Sequence, residues 1–136
     1  MPIWSDSRPR TARNPVDSVA RFRLSRPAQS DLANILATSD ERWGTEGRRR
    51  YTATLAAAMR MLAADPQGPL TRDREDLLRG VRSFHTRHAR TDSAPENVKA
   101  PVHVIYYRVV AADVVEVVRV LHEHMEPSRH IRKKRT

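Results

Sequence analysis

Hydrophobic residues along this chain follow two different periods. In residues 19–24, Ala20, Phe22 and Leu24 alternate with Arg21 and Arg23, the two-residue period of a half-buried strand. From Ser25 the period lengthens. Ser25 and Pro27 form a helix start signal, and Leu32, Ile35, Leu36, Ser39 and Trp43 then fall on one helical face. Asp31 sits in the first turns, where the helix dipole favours an acid. Gly44 is placed to end this helix with a left-handed residue, and Thr45 to cap a second. In the second helix Tyr51, Leu55, Ala58 and Leu62 share a face, among alanines that raise helix propensity, until Asp65-Pro66 stops it. So short a connection predicts an antiparallel helical hairpin, with Leu32, Ile35, Trp43, Leu55 and Leu62 in the core.

Beyond Pro66 the pattern lapses, and residues 66–80 read as irregular. Residues 81–87 can form a strand, and 88–101 are polar and loop-like. Residues 102–110 and 114–121, rich in Val, Ile and Tyr, are the strongest strands, and Ala111, Ala112 and Asp113 join them as a hairpin. The expected order is β-α-α-β-β-β. It defines an α+β domain, a small mainly antiparallel sheet with an N-terminal helical hairpin packed on one face. Strict alternation in 114–121 puts Val115, Val117 and Leu121 beside Arg119 on one face, and Val114, Val118 and Val120 beside Glu116 on the other. The helices can cover only one of these faces. The second must meet a partner or the chain's own loops curled over it.

A chain of 136 residues allows one domain. Its net charge of +9 is unevenly spread: Arg129, Arg132, Lys133, Lys134 and Arg135 alone carry five positive charges. A nearly balanced domain over 18–128 therefore lies between a disordered Pro- and Arg-rich extension at 1–17 and a basic tail at 129–136. The tail is either a solvated end or a contact for nucleic acid or an acidic partner. The absence of cysteine excludes disulfides and thiol catalysis. No apolar run approaches the ~20 residues of a transmembrane helix, and no signal-peptide core follows Met1, so no membrane association and a cytoplasmic setting are expected.

The candidate chemistry rests on histidines and arginines. Six histidines stand at 85, 88, 103, 122, 124 and 130. On one strand His85 and His88 face opposite ways, and His122 and His124 share a face without an obvious third ligand, so no metal and no cofactor is expected. No Gly-rich phosphate loop or nucleophile elbow is present. Cleaving RNA beside its 2′-hydroxyl needs a base, an acid and a cation for the phosphorane charge. Arg82, Arg108, Arg119, His85, His122 and Glu116 could supply them from strands or strand ends. Arg82, Arg108 and Glu116 could equally form cross-strand ion pairs. Arg48, Arg49 and Arg50 open the second helix, either as a solvated face or as a contact for phosphate or carboxylate.

These pieces in their order resemble the ParE/RelE toxin superfamily of bacterial toxin–antitoxin modules, and the ParE branch more closely. The resemblance runs over residues 20–130. It is carried by Asp31-Leu32-x-x-Ile35, by 55–66, by Leu78-Arg79-Gly80-Val81-Arg82-Ser83-Phe84, by His103-Val104-Ile105-Tyr106-Tyr107-Arg108, and by Val117-Val118-Arg119-Val120-Leu121-His122-Glu123-x-Met125. It implies a toxin that inhibits DNA gyrase and is neutralised by a ParD-like antitoxin, whose disordered C-terminal segment folds on the toxin. On that reading Leu32, Leu36, Leu55, Val115 and Val117 meet the antitoxin, and Arg82, Arg108, Arg119 and His122 meet the target. The ParE branch brings no catalytic set. The alternative within the superfamily is a RelE-type ribosome-dependent mRNA endoribonuclease, acting on ribosome and mRNA, with Arg82, Arg119 and His122 as catalytic residues. Residues 86–101 form a longer connection than compact members of the superfamily have.

Overall fold

Why a 39-residue helix and a five-stranded sheet share one core is explained by two local breaks, one in the helix and one in a strand. The computed structural model describes residues 21–89 and 102–131. The expected extension at 1–17, residues 90–101 of the loop and 132–136 of the tail lie outside the described residues. The elements are β1 (Arg21–Leu24), α1 (Arg26–Ala64), β2 (Thr71–Asp73), β3 (Arg82–His85), β4 (His103–Ala111) and β5 (Val114–His122), with 3-10 turns at Thr86–Ala89 and Pro127–Arg129. The strands form one sheet in the order β1-β5-β4-β3-β2. All its pairings are antiparallel except β1 with β5, whose connection contains α1, the long crossover a parallel pair requires. The chain is α+β with a mostly antiparallel sheet, as its periodicity indicates.

The helix begins and ends where its residues dictate. Ser25 is extended (φ −68°, ψ 163°) and its hydroxyl accepts from the Ala28 amide, while Pro27 occupies the first turn, where no amide donor is needed. Asp65 before Pro66 closes it. The two helical halves meet without a loop, separated by the single non-helical residue Gly44 at φ 77° and ψ −177°. That conformation is open essentially to glycine alone. Ala28 and Leu62, on either side of the break, belong to one buried cluster. A straight helix would hold them about 50 Å apart. The bend at Gly44 brings both halves of α1 to the same sheet face.

The break in the strand is a bulge. Tyr106 pairs with Arg119 but Tyr107 pairs with Val117, so Val118 is an extra residue in β5. The alternation expected for 114–121 therefore fails beyond Val118. Val115, Val117 and Val120 face α1 with Phe84, Ile105 and Tyr107, whereas Leu121 and half-buried Val118 lie in the opposite cluster. That second face is covered by the chain itself, through Leu77, Leu78, Val81 and Ile131. Ile131, 4% exposed, packs into that cluster from beyond the turn at Pro127–Arg129.

Two other differences have plain causes. β2 lies in the stretch read as irregular. Its three residues, Thr-Arg-Asp, carry no apolar alternation, and pairing with β3 alone defines it. Trp43, expected in the core, is 52% exposed, because it stands at the bend, where the helix turns away from the sheet. Leu55 and Leu62 are buried as expected, and Leu32 and Ile35 pack half-buried against the core.

These placements order three substitutions. Leu62→Ala should cost roughly 2–5 kcal/mol in denaturant unfolding, and Trp43→Ala about 0.5 kcal/mol or less. Gly44→Ala should cost about 1–3 kcal/mol although no atom lies within 4 Å of the added Cβ, because the backbone angle alone resists it. A neutral Gly44→Ala would mean that the bend is not held at this residue.

Candidate functional site

The bulge in β5 leaves a stretch of strand edge that β1 does not reach, because β1 pairs only with Val114–Val117. The N-terminal end of α1 takes over that edge. The Ser25 amide donates to the Val117 carbonyl (3.1 Å) and the Ser25 hydroxyl to the Val118 carbonyl (2.8 Å). The Val120 amide donates to Asp31 Oδ2 at 2.9 Å. Arg119 completes the arrangement. Its Nε and Nη2 donate to the two Asp31 oxygens, both at 2.8 Å, and its Nη1 donates to the His130 carbonyl at 3.1 Å. Every nitrogen of this guanidinium is engaged inside the fold, in the bidentate form that gives Arg–carboxylate pairs their strength. The hydrogen bonds to Asp31 raise the Arg119 pKa further above its ordinary value.

The other expected target residues are dispersed. Arg108 Nε donates to Glu116 Oε1 at 3.1 Å, while Arg23 lies 3.6 Å from Glu116 Oε2. The result is a cross-strand ion triad over β4, β5 and β1. Arg82 donates through Nε and Nη2 to the Thr71 hydroxyl, at 3.1 and 2.8 Å, which fastens β3 to the edge strand β2. His122 stands at the far end of β5, opposite His103. Arg82, Arg119 and His122 thus belong to three separate contact sets: Thr71, Asp31 with His130, and the histidines at the sheet end.

That sheet end holds the densest titratable group. β3 ends at His85, β4 begins at His103 and β5 ends at His122. The His103 and His122 ring centroids are 5.6 Å apart, and those of His122 and His124 5.0 Å. His85 Nε2 lies 2.7 Å from Glu123 Oε1, and the hydrogen bond from His85 holds the Glu123 carboxyl below its usual range. The Tyr51 hydroxyl, from the second half of α1, is hydrogen-bonded to His103 Nδ1. The Thr86 hydroxyl donates to the His103 carbonyl and accepts from its amide. Burial, aided by neighbouring His122 and His85, pushes the His103 pKa down to about 4, and burial raises that of Tyr51. Among the described residues no three His, Asp or Glu side chains are arranged to hold a metal ion.

The residues expected to meet an antitoxin divide in two. Leu55, Val115 and Val117 are at most 5% exposed and are spent on the chain's own core. Leu32 and Leu36 remain half-buried on the first half of α1. Asp31 and Tyr51 do not stand out as site residues in the sequence. Asp31 read as a dipole partner and Tyr51 as an apolar position. Their polar partners, Arg119 and His103, lie 88 and 52 residues away and carry no local signal.

Comparison with known proteins returns a coherent group. The family model described as ParE toxin of type II toxin-antitoxin system, parDE, matches residues 22–127. Toxin ParE1 of Caulobacter vibrioides is 33% identical over 110 residues, 81% of this chain and 96% of that protein. Toxin ParE1 of Mycobacterium tuberculosis strain H37Rv is 29% identical over 112 residues, 82% of this chain and 98% of that protein. Among solved structures, a chain from the chromosomal ParDE TA system of P. aeruginosa shares the fold, with a TM-score of 0.52 at 17% identity, covering 77% of this chain and 97% of that one. The matched stretch of 22–127 includes Asp31, Arg119 and the histidines of the sheet end.

The engagement of Arg119 has a measurable consequence. Asp31→Ala strips a carboxylate from a mostly buried guanidinium and from the Val120 amide, and should cost about 2–4 kcal/mol in equilibrium unfolding. Adding Arg119→Ala to it should cost much less than the two single losses together. Additive losses would show that the two side chains are not coupled.

Proposed function

Since the chain belongs to the ParE toxin family of type II toxin–antitoxin systems, we propose that it inhibits DNA gyrase and is held inactive by a cognate ParD-like antitoxin. The observation that carries the reading is the family match across the whole folded body, from β1 to the turn after β5. The geometry supports a protein-binding toxin over an RNA-cleaving one. A phosphorane clamp needs a guanidinium presented to its ligand, and every nitrogen of Arg119 already donates to Asp31 or His130 inside the fold. Gyrase acts in the cytoplasm, so the reading carries a cytoplasmic site of action with it. No helix of the described residues is long and apolar enough to cross a membrane.

Of the four residues expected at the target, three keep the capacity for contact in this reading. Arg108 is 39% exposed at its side chain, and Arg82 and His122 are half-buried. Arg119 acts inside the fold. The antitoxin surface centres on the half-buried Leu32 and Leu36 of α1, where an apolar segment folding on contact would bury what the chain leaves open.

The test is gyrase supercoiling with the purified full-length chain, run beside a translation reaction sampled for messenger cleavage. Loss of supercoiling with intact messenger is expected. Arg108→Ala should need a roughly tenfold higher dose, equivalent to about 1.4 kcal/mol of target contact. Normal supercoiling at saturating dose, or messenger cleavage that Arg82→Ala abolishes in a folded protein, would move the function to the ribonuclease class.

A further inference from the structure

Four histidines gather at one end of the sheet. His85, His103, His122 and His124 come from β3, β4 and β5 and the residue pair after it, and one carboxylate, Glu123, stands among them. Glu123 is 2.7 Å from the His85 ring and 3.9 Å from that of His124. His103 is the ring that ties α1 to the sheet, through Tyr51. Facing it are Tyr51 and, farther off, Asp31 from α1, His85 from β3, Thr86 from the 3-10 turn, His122 from β5 and Glu123 beyond it. Arg87 adds positive charge near His85, and burial, with that charge, lowers the His88 pKa.

We propose that this cluster makes the docking of the second half of α1 on the sheet acid-labile: proton uptake by His103 loosens its contact with Tyr51 and frees the helix beyond the Gly44 bend. In the neutral ring Nδ1 can accept the Tyr51 proton; in the imidazolium both ring nitrogens donate, so that bond must reverse or break. The charge arrives in a largely buried place. Its neighbour His122 is 5.6 Å away, and the Glu123 carboxylate is already bonded to His85.

The sign follows from linkage. His103 titrates at about 4 in the fold and near its ordinary 6.5 when unfolded. Between those values the unfolded chain holds the extra proton, so stability falls as pH drops from 6.5 toward 4 and levels off below. Above pH 6.5 His103 contributes no pH dependence.

The experiment is thermal unfolding of the full chain at pH 7.5 and pH 5.0, together with hydrogen exchange at pH 5.0 and imidazole titration by NMR. The melting temperature is expected to fall by roughly 5 °C at pH 5.0. Amides of residues 48–62 should lose protection before those of β4 and β5. His103→Gln should remove most of that fall, whatever it does to the melting temperature at pH 7.5. If His103→Gln does not fold, the wild-type titration decides. A His103 midpoint far below 6.5 supports the switch, and a midpoint near 6.5 overturns it. An unchanged melting temperature, a fall that survives in folded His103→Gln, or uniform loss of protection across helix and sheet would also overturn it.

Discussion

The rest of the structure depends on how the open edge of β5 is closed. β1 pairs with only the first part of β5, and a bulge at Val118 follows at once. The backbone groups beyond it would face the core boundary without partners, an expensive state for buried amides and carbonyls. Ser25 and Asp31 supply those partners from the first turns of α1, and Arg119 locks Asp31 in place. One ion pair thereby sets the helix against the sheet, fixes the side on which β5 ends, and anchors the chain at His130. The turn through Pro127–Arg129 then delivers Ile131 to the second face.

The same interaction separates architecture from function. Arginines on a small sheet invite a catalytic reading, and Arg119 has the residue type that a phosphate clamp would use. In the fold each of its three guanidinium nitrogens donates to Asp31 or His130. Arg108 is restrained more loosely, shared through Glu116 with Arg23 at the sheet's exposed end. A toxin that works by binding a protein needs presented charge more than a convergent acid, base and cation. The distribution of these arginines suits the demand of the proposed function.

What could be read from the sequence was whatever depends on neighbours in the chain. Ser25 and Pro27 start the helix, Asp65-Pro66 stops it, and Gly44 breaks it because only glycine accepts a positive φ so readily there. The β4–β5 hairpin is legible from β-branched residues around a three-residue connection. What could not be read depends on register and distant pairing. The bulge shifts Val120 and Leu121 to faces opposite those that alternation assigns them. β2 exists through its pairing with β3, and its own residues do not announce it. Trp43 reads as core because its spacing fits a helical face, yet that face ends at the bend. Among the site residues, Arg108 with Glu116 was recoverable as a cross-strand pair. Asp31 with Arg119 and Tyr51 with His103 were not, since each joins helix to sheet across most of the domain.

The most direct measurement is amide hydrogen exchange at Val120 in the full-length chain and in Asp31→Ala. If Asp31 closes the β5 edge, the Val120 amide exchanges slowly in the parent protein. In the variant it exchanges at least tenfold faster than its ladder-bonded neighbours do, beyond any general loss of stability. A Val120 amide already exchanging fast in the parent, or one whose protection survives Asp31→Ala, would contradict the account and return Arg119 to the pool of available cations.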